Sequence, residues 1–354
     1  MTSRAMEEGP NLARRNRVLR LEGAGRMSLV EEVPPQPGPG EVLLRVEAVG
    51  LCGSDLHWWT EGGIGDARLD RPLVLGHEFS ATAVTGRFRG RLVAVDPAIH
   101  CGRCALCSRG HPNLCEAIRF AGHGDTDGAL REWMVWPEEF LHPLPEGMSP
   151  AAGMMLEPLG VALHAVNLAS LQIGDVVAVL GCGPIGLAIL QLVRLAGAGW
   201  VAATDRLEHR VAAAERYGAD LAVQARGGEE VGAILQSSFR GAPNVVFEVA
   251  GDNAAVEAAV ALASPGARIL LVGIPGDDRT SFSASTARRK GLTIKLVRRM
   301  KHVYTTAIEL VQSGRVDVEG LVSHRFSLDR YADAFAVATR REGLKVMIEP
   351  HGSG

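Results

Sequence analysis

The feature that most restricts the fold of this chain is a glycine-rich turn set between two apolar segments. Val176–Leu180 is a continuous apolar run, the pattern of a parallel strand buried on both faces. Gly181-Cys182-Gly183-Pro184-Ile185-Gly186 follows at once. From Pro184 to Ala196 the apolar residues Leu187, Leu190, Val193 and Leu195 then predict a helix. A strand, a G-x-G-x-x-G turn and a helix in that order can cradle a pyrophosphate. Gly181 allows the tight turn, Gly183 lets the phosphates approach the backbone, and Gly186 lets the helix pack on the strand. Free N–H groups at the helix start then hold the anion. Asp205 ends the next apolar run, Val201–Thr204, 19 residues after Gly186. Its carboxylate suits ribose hydroxyls and repels a 2′-phosphate, which favours NAD over NADP. Arg206 directly follows and pulls the other way. A turn of this kind can also occur in an α/β domain that binds no nucleotide, but strand, turn, helix and acid in register speak against that.

From about Asp175 onward the chain alternates strand and helix signals. Glu208–Tyr217 reads as a helix stopped by Gly218, and Val245–Val249 and Ile269–Val272 read as buried strands. This alternation predicts a doubly wound parallel sheet in an α/β fold. Before about Val161 the chain is rich in strands and loops. Glu41–Val49 is a strand candidate, preceded by Pro34, Pro35, Pro37 and Pro39, which exclude a helix there. Gly62–Pro72 reads as a polar loop and Arg91–Val95 as a strand. In the tail, Tyr304–Gln312 is predicted helical and Lys345–Ile348 a last strand. Residues 1–17 are polar and charged, with no apolar secretory core, and read as a loose leader.

At 354 residues the chain suits two domains, and its net charge of -3 offers no basic footprint for nucleic acid or anionic membrane. No apolar run is expected to reach the roughly 20 residues of a membrane span. Six cysteines in a cytoplasmic-looking chain argue against a disulfide framework. Four of them, Cys101, Cys104, Cys107 and Cys115, fall within fifteen residues. Four thiolates on one short lobe make a closed, structural zinc site. An iron–sulfur centre also uses close cysteines, but its usual run has a shorter last gap followed by proline.

Three further residues have the donor types of an open zinc site: Cys52 in Cys52-Gly53-Ser54-Asp55-Leu56-His57, His77 in Gly76-His77-Glu78, and Glu157. A zinc ion there lowers the pKa of a bound alcohol and polarises the product carbonyl. Ser54 is placed to pass the alcohol proton outward, with His57 as the relay to solvent. Singly, each residue has a plainer reading. Cys52 suits a small buried hydrophobe, and His77 or Glu157 a satisfied polar group. Spacing alone leaves both readings open.

These motifs together resemble the zinc-dependent medium-chain dehydrogenase/reductase superfamily over nearly the whole chain, and within it the sorbitol and xylitol dehydrogenases. Glu157 stands where liver-type alcohol dehydrogenases carry a third cysteine ligand. Gly63-Ile64-Gly65-Asp66, Trp58-Trp59, Val322-Ser323-His324-Arg325-Phe326 and Leu344-Lys345-Val346-Met347 strengthen the likeness. The resemblance implies a GroES-like catalytic domain from residues 18–163 and 299–354, with a Rossmann domain, 164–298, inserted. It implies two zinc ions per chain and NAD. Cys52, His77 and Glu78 would hold the catalytic zinc, with Glu157 on its water or on the metal. Pro184, Ile185, Asp205 and Arg210 would touch NAD beside the glycines, and Gly273 and Ile274 would line the nicotinamide end. Arg298 would contact substrate hydroxyls.

The chain departs from that family where it carries Trp58 and Arg299, since polyol dehydrogenases often have tyrosine at both places. A second guanidinium favours an acidic or phosphorylated polyol, or reaches the cofactor phosphates. Between Glu78 and Asp96 the chain is shorter than the family's, at Thr82–Phe88, which predicts a trimmed surface hairpin. The expected activity is NAD-dependent oxidation of a secondary alcohol of a polyol. Threonine- or simple alcohol-dehydrogenase activity is the near alternative, and a non-catalytic NAD-binding regulator the distant one. A homodimer or homotetramer is expected, with Ile269–Val272 and Leu292–Leu296 pairing across a two-fold axis.

Overall fold

The computed structural model describes residues 15–352, apart from Phe239 and Asp277. The chain opens with a hairpin of β1 (Asn16–Gly23) and β2 (Arg26–Glu32). β3 (Glu41–Gly50) follows, then α1 (Gly53–Glu61), β4 (Glu78–Ala83), β5 (Leu92–Val95), β6 (Trp133–Pro137) and β7 (Leu141–Pro143). The expected polar loop Gly62–Pro72 contains a small two-stranded ribbon, Gly63–Ile64 against Ala67–Arg68. The long helix α2 (Pro150–Ala169) leads into the second half.

That half holds β8 (Val176–Leu180), α3 (Pro184–Leu195), β9 (Trp200–Asp205), α4 (Glu208–Arg216), β10 (Leu221–Gln224), β11 (Val245–Glu248), β12 (Arg268–Leu271) and β13 (Thr293–Leu296). All of its strand pairs are parallel, in the order β10-β9-β8-β11-β12-β13. The order reverses between β8 and β11, the switch point at which such sheets bind ligands beyond their strand ends. The chain continues through α5 (Tyr304–Gln312), β14 (Val322–Ser327), α6 (Tyr331–Thr339) and β15 (Lys345–Glu349).

β15 returns to the first half. It pairs antiparallel with β3, Ile348 opposite Val49, and parallel with β14. β3 also pairs with β4 and β6; Val42, Leu43, Leu44, Val46, Ala48 and Val49 are buried, with Arg45 and Glu47 partly exposed between them. The fold is therefore a β-rich lobe built from both chain ends, beside a doubly wound parallel-sheet lobe.

Three expectations need correction. Residues 1–14 of the leader lie outside the described residues, but Asn16 and Arg17 belong to β1. The Asn16 side chain exchanges hydrogen bonds with the Trp133 backbone (2.9 and 3.0 Å), and Arg17 pairs with Glu132 (2.8 Å) and Asp329 (2.7 Å). Pairing, not polarity, fixes them. Second, among the described residues one helix is long and apolar enough to cross a membrane, Pro150–Ala169, although 83% of its apolar window is buried inside the protein. A mostly apolar helix, buried along nearly its whole length with Glu157 and His164 among its few polar residues, suits the seam between two lobes. Third, β12 is interior to its sheet, between β11 and β13, so its backbone is already paired on both sides. Only β13 offers an edge on that side.

Candidate active site

Cys52 is the N-cap of α1, and its backbone N–H donates to the Asp55 carboxylate at 2.9 Å. The other Asp55 oxygen accepts from the Gly76 N–H at 3.2 Å and lies 3.5 Å from His77 Nδ1. One buried carboxylate thus ties together the two segments that carry Cys52 and His77. Gly76 has φ +92, and a Cβ there would stand 2.7 Å from Val49, so only glycine turns the chain into His77. Cys52, His77 and Glu78 then converge, with their donor atoms all within 4.8 Å of one another. Burial opposes a charged His77, yet Asp55 and Cys52 raise its pKa well above the usual imidazole range. Anions that draw a proton so strongly to one point would equally draw a divalent cation, and sulfur, nitrogen and carboxylate donors suit zinc.

Glu157 lies on α2 and outside that group of three. Burial pushes its pKa up to about 7, with His77 opposing and Glu78 adding to the rise. Glu78 has another partner: Lys345 Nζ reaches its two oxygens at 2.8 and 2.6 Å, and both side chains are buried. Ser54 is half-buried on the first turn of α1. His57 lies one turn further along the same helix, where its Nδ1 is 2.7 Å from Glu61.

Cys101, Cys104, Cys107 and Cys115 also converge within 4.8 Å. Backbone N–H groups of Cys101, Cys104 and Cys107 point at the sulfurs of Cys115, Cys101 and Cys104, at 3.3 to 3.5 Å. The Cys107 N–H lowers the Cys104 thiol to about 6, while desolvation and Cys104 push Cys107 up to about 12. Four thiols this close cannot all ionise without a cation, and the donor set fits a closed zinc site. The lobe also grips the chain elsewhere. Asn113 Nδ2 donates to the Arg298 carbonyl at 3.0 Å, and Lys301 Nζ lies 3.1 Å from His111 Nδ1.

A cleft of about 1350 Å³ runs from Cys52, His57 and Glu78 to the glycine turn. Gly181, Gly183, Pro184, Ile185, Asp205 and Arg210 line its far end. Gly181 has φ +107, and a methyl on Gly186 would overlap the Gly181 carbonyl. Asp205 accepts the N–H of Cys182 at 2.8 Å and of Leu207 at 2.9 Å, which fixes its carboxylate beside the turn. Arg206 is engaged in an ion pair with Asp252. Gly273 and Ile274 pack on Gly251, next to Ala250 and Asp252 of the cleft wall.

The residues expected to meet substrate divide. Trp58 is 2% exposed and packs edge-on against His123, with ring centroids 5.5 Å apart. Arg298 is exposed. Arg299 lies with its guanidinium carbon 4.0 Å from the Phe120 ring centroid, and the Phe120 ring is 5.1 Å from that of His77.

Residues 38–146 match the alcohol dehydrogenase GroES-like domain, and residues 184–313 match the zinc-binding dehydrogenase domain. The chain is 34% identical to sorbitol dehydrogenase of Gallus gallus over 334 residues, 92% of this chain and 94% of that protein. It belongs to the zinc-dependent medium-chain dehydrogenase family. Among solved structures it is similar to an oxidoreductase/dehydrogenase of unknown specificity from Escherichia coli. That likeness has a TM-score of 0.89 and 32% identity, covering 95% of this chain and 99% of the other. It is also similar to a candidate zinc-binding dehydrogenase from Sinorhizobium meliloti 1021 bound to NADP, with a TM-score of 0.87 and 31% identity, covering 95% and 99%. The family supplies the zinc and nicotinamide chemistry to which both donor clusters and the glycine turn are suited.

Several members of the site carry no role in the sequence reading. Asp55 stands inside a quoted motif, but its two-way tether needs the fold. Glu61 is four residues after His57, a spacing that puts both on one helix face and is legible in sequence. Lys345 meets Glu78 across 267 residues, and no local signal announces it.

Proposed function

We propose that this protein catalyses the reversible oxidation of a secondary alcohol of a sorbitol- or xylitol-like polyol to the ketone, with NAD. The observation that carries the reading is the shared cleft. It has Cys52, Glu78 and His57 at one end and the glycine turn with Asp205 at the other. In this reading Cys52, His77 and Glu78 hold one zinc ion, with Glu157 at its border, and the four-cysteine lobe holds a second. When bound, the first zinc and the nicotinamide supply Lewis acidity toward the substrate oxygen and a hydride acceptor.

The chain's own residues bind, orient and move the proton. Ser54 receives the hydroxyl proton of the substrate, and His57, held by Glu61, passes it toward solvent. Asp55 fixes the His77 ring. Asp205 accepts the ribose hydroxyls and would repel a 2′-phosphate, and Arg206 beside it is held by Asp252, which supports NAD over NADP. We assign residues 18–163 and 299–354 to the catalytic domain and 164–298 to the cofactor domain. We place the contact between subunits at the open edge of β13.

The test is NADH formation over a panel of polyols, cyclitols and amino alcohols, with and without a chelator. Chelator-sensitive turnover of a polyol is the expected result. Turnover of an amino alcohol alone would replace the polyol by a threonine-like substrate. No turnover by zinc-loaded protein would overturn the catalytic reading.

A further inference from the structure

We propose that Arg299 makes the substrate site beside the Cys52, His77 and Glu78 donors a receptor for an oxoanion, so that the preferred polyol carries a carboxylate or a phosphate. The inference rests on the polyol reading above and narrows it. Arg299 stands one ring away from the metal donors, because Phe120 touches both its guanidinium (4.0 Å) and the His77 ring (5.1 Å). Its Nη1 is buried and has no hydrogen-bond partner. A guanidinium carries five donors, and a buried one left unpaired is costly. The planar fork matches a carboxylate or phosphate with two parallel bonds, which neutral hydroxyls cannot reproduce.

The surroundings leave that nitrogen for a ligand. Glu157 and Asp96 are the anions that act on it, and its Nη1 bonds to neither. Arg298 adds to the positive field on the same side, and both arginines act on His123. Burial and Arg298 bring Arg299 down to about 10, still charged at neutral pH. The backbone at Arg299 is left-handed, φ +53, and so is His302, φ +50. Such strain persists where neighbours over-determine it. Here Asn113 holds the Arg298 carbonyl and His111 holds Lys301. The cofactor phosphates have their own cations, since Arg210 and Arg341 line the cleft near the glycine turn, whereas Arg299 stands outside that lining, across Phe120 from His77.

The experiment compares kcat/KM of the zinc-loaded protein with NAD on three matched six-carbon probes: sorbitol, gluconate and glucitol 6-phosphate. One of the two anionic probes should exceed sorbitol by about tenfold to hundredfold, the range of a charge-assisted pair. Which one does so separates a carboxylate from a phosphate. Arg299→Gln should lower the ratio of anionic to neutral kcat/KM by a similar factor. Arg299→Lys should fall between. Inorganic phosphate should compete with sorbitol in the parent protein and lose that effect in Arg299→Gln. Thermal melting and NADH fluorescence titration confirm that each variant is folded. Sorbitol used as well as or better than both anions overturns the inference and leaves the polyol reading standing. A preference for anions that survives Arg299→Gln overturns the assignment to Arg299. Turnover of none of the three overturns the polyol reading, and the inference falls with it.

Discussion

Lys345 and Glu78 form a buried ion pair in which Lys345 also donates to the Leu51 carbonyl at 3.1 Å. Removing one partner of such a pair leaves the other charge buried and alone, which costs about 3–5 kcal/mol. Lys345→Met should destabilise chelator-treated protein by that order in urea denaturation. The loss should be smaller in zinc-loaded protein, where Glu78 has a cation beside it. His142 provides a pH signature. Its ring stacks on Tyr304 at 4.1 Å, and burial lowers its pKa to about 4. The unfolded chain takes up that proton near its ordinary value of about 6.5. Stability from the neutral, stacked ring is therefore complete above about pH 6.5 and drains away as pH falls toward 4, by up to about 3 kcal/mol. His142→Phe keeps a ring on Tyr304 and should remove that part of the acid-side loss, read as the difference between urea midpoints of the two proteins across pH 7 to 4.

At the scale of elements, the turn between β8 and α3 and the four-cysteine lobe each do a distinct job. The turn works only because helix and strand meet without side chains between them, so Gly186→Ala must push α3 away from the Gly181 carbonyl. A rise in NADH Kd of at least about tenfold is expected by fluorescence titration, since the anion-holding N–H groups move with the helix. The lobe sits apart from the Cys52, His77 and Glu78 donors but holds the 298–301 segment through Asn113 and His111. Cys104→Ser should lower zinc content by one ion per chain in elemental analysis. It should also raise KM for the alcohol, because the segment carrying Arg298 and Arg299 loses its clasp. Unchanged KM with one zinc lost would show that the lobe does not position that segment.

For the whole molecule, the decisive element is β15, the last strand of the chain. It lies between β3 and β14 in the interior of the first sheet, and it delivers Lys345 to Glu78. Interior strands have both backbone edges committed, so their removal exposes two rows of unpaired groups and the side chains of Val346, Met347 and Ile348. A chain ending at Gly343 should fail to give soluble, cooperatively melting protein, although every proposed catalytic and cofactor residue remains. Cooperative melting of that truncated chain would show that the first lobe closes without its last strand.

The sequence alone determined what depends on neighbours in the chain. The glycine turn needs a strand before it and a helix after it, and Val176–Leu180 and Pro184–Leu195 supply both. The four cysteines need only short loops to converge. Tyr304–Gln312 is helical over the residues predicted. Helix α2 was not legible, because apolar residues fall on nearly all of its sides and it carries Gly153, Pro158 and Gly160, so no period of 3.6 stands out. Tertiary structure decided the rest. It set Asp55 between Cys52 and His77, paired Lys345 with Glu78, engaged Arg206 with Asp252, and left one nitrogen of Arg299 unpartnered. The Asp55–His77, Lys345–Glu78 and Arg206–Asp252 contacts each join segments far apart in the chain. A residue's type limits which bonds it can make, but only the packed fold decides which partner, if any, is within reach.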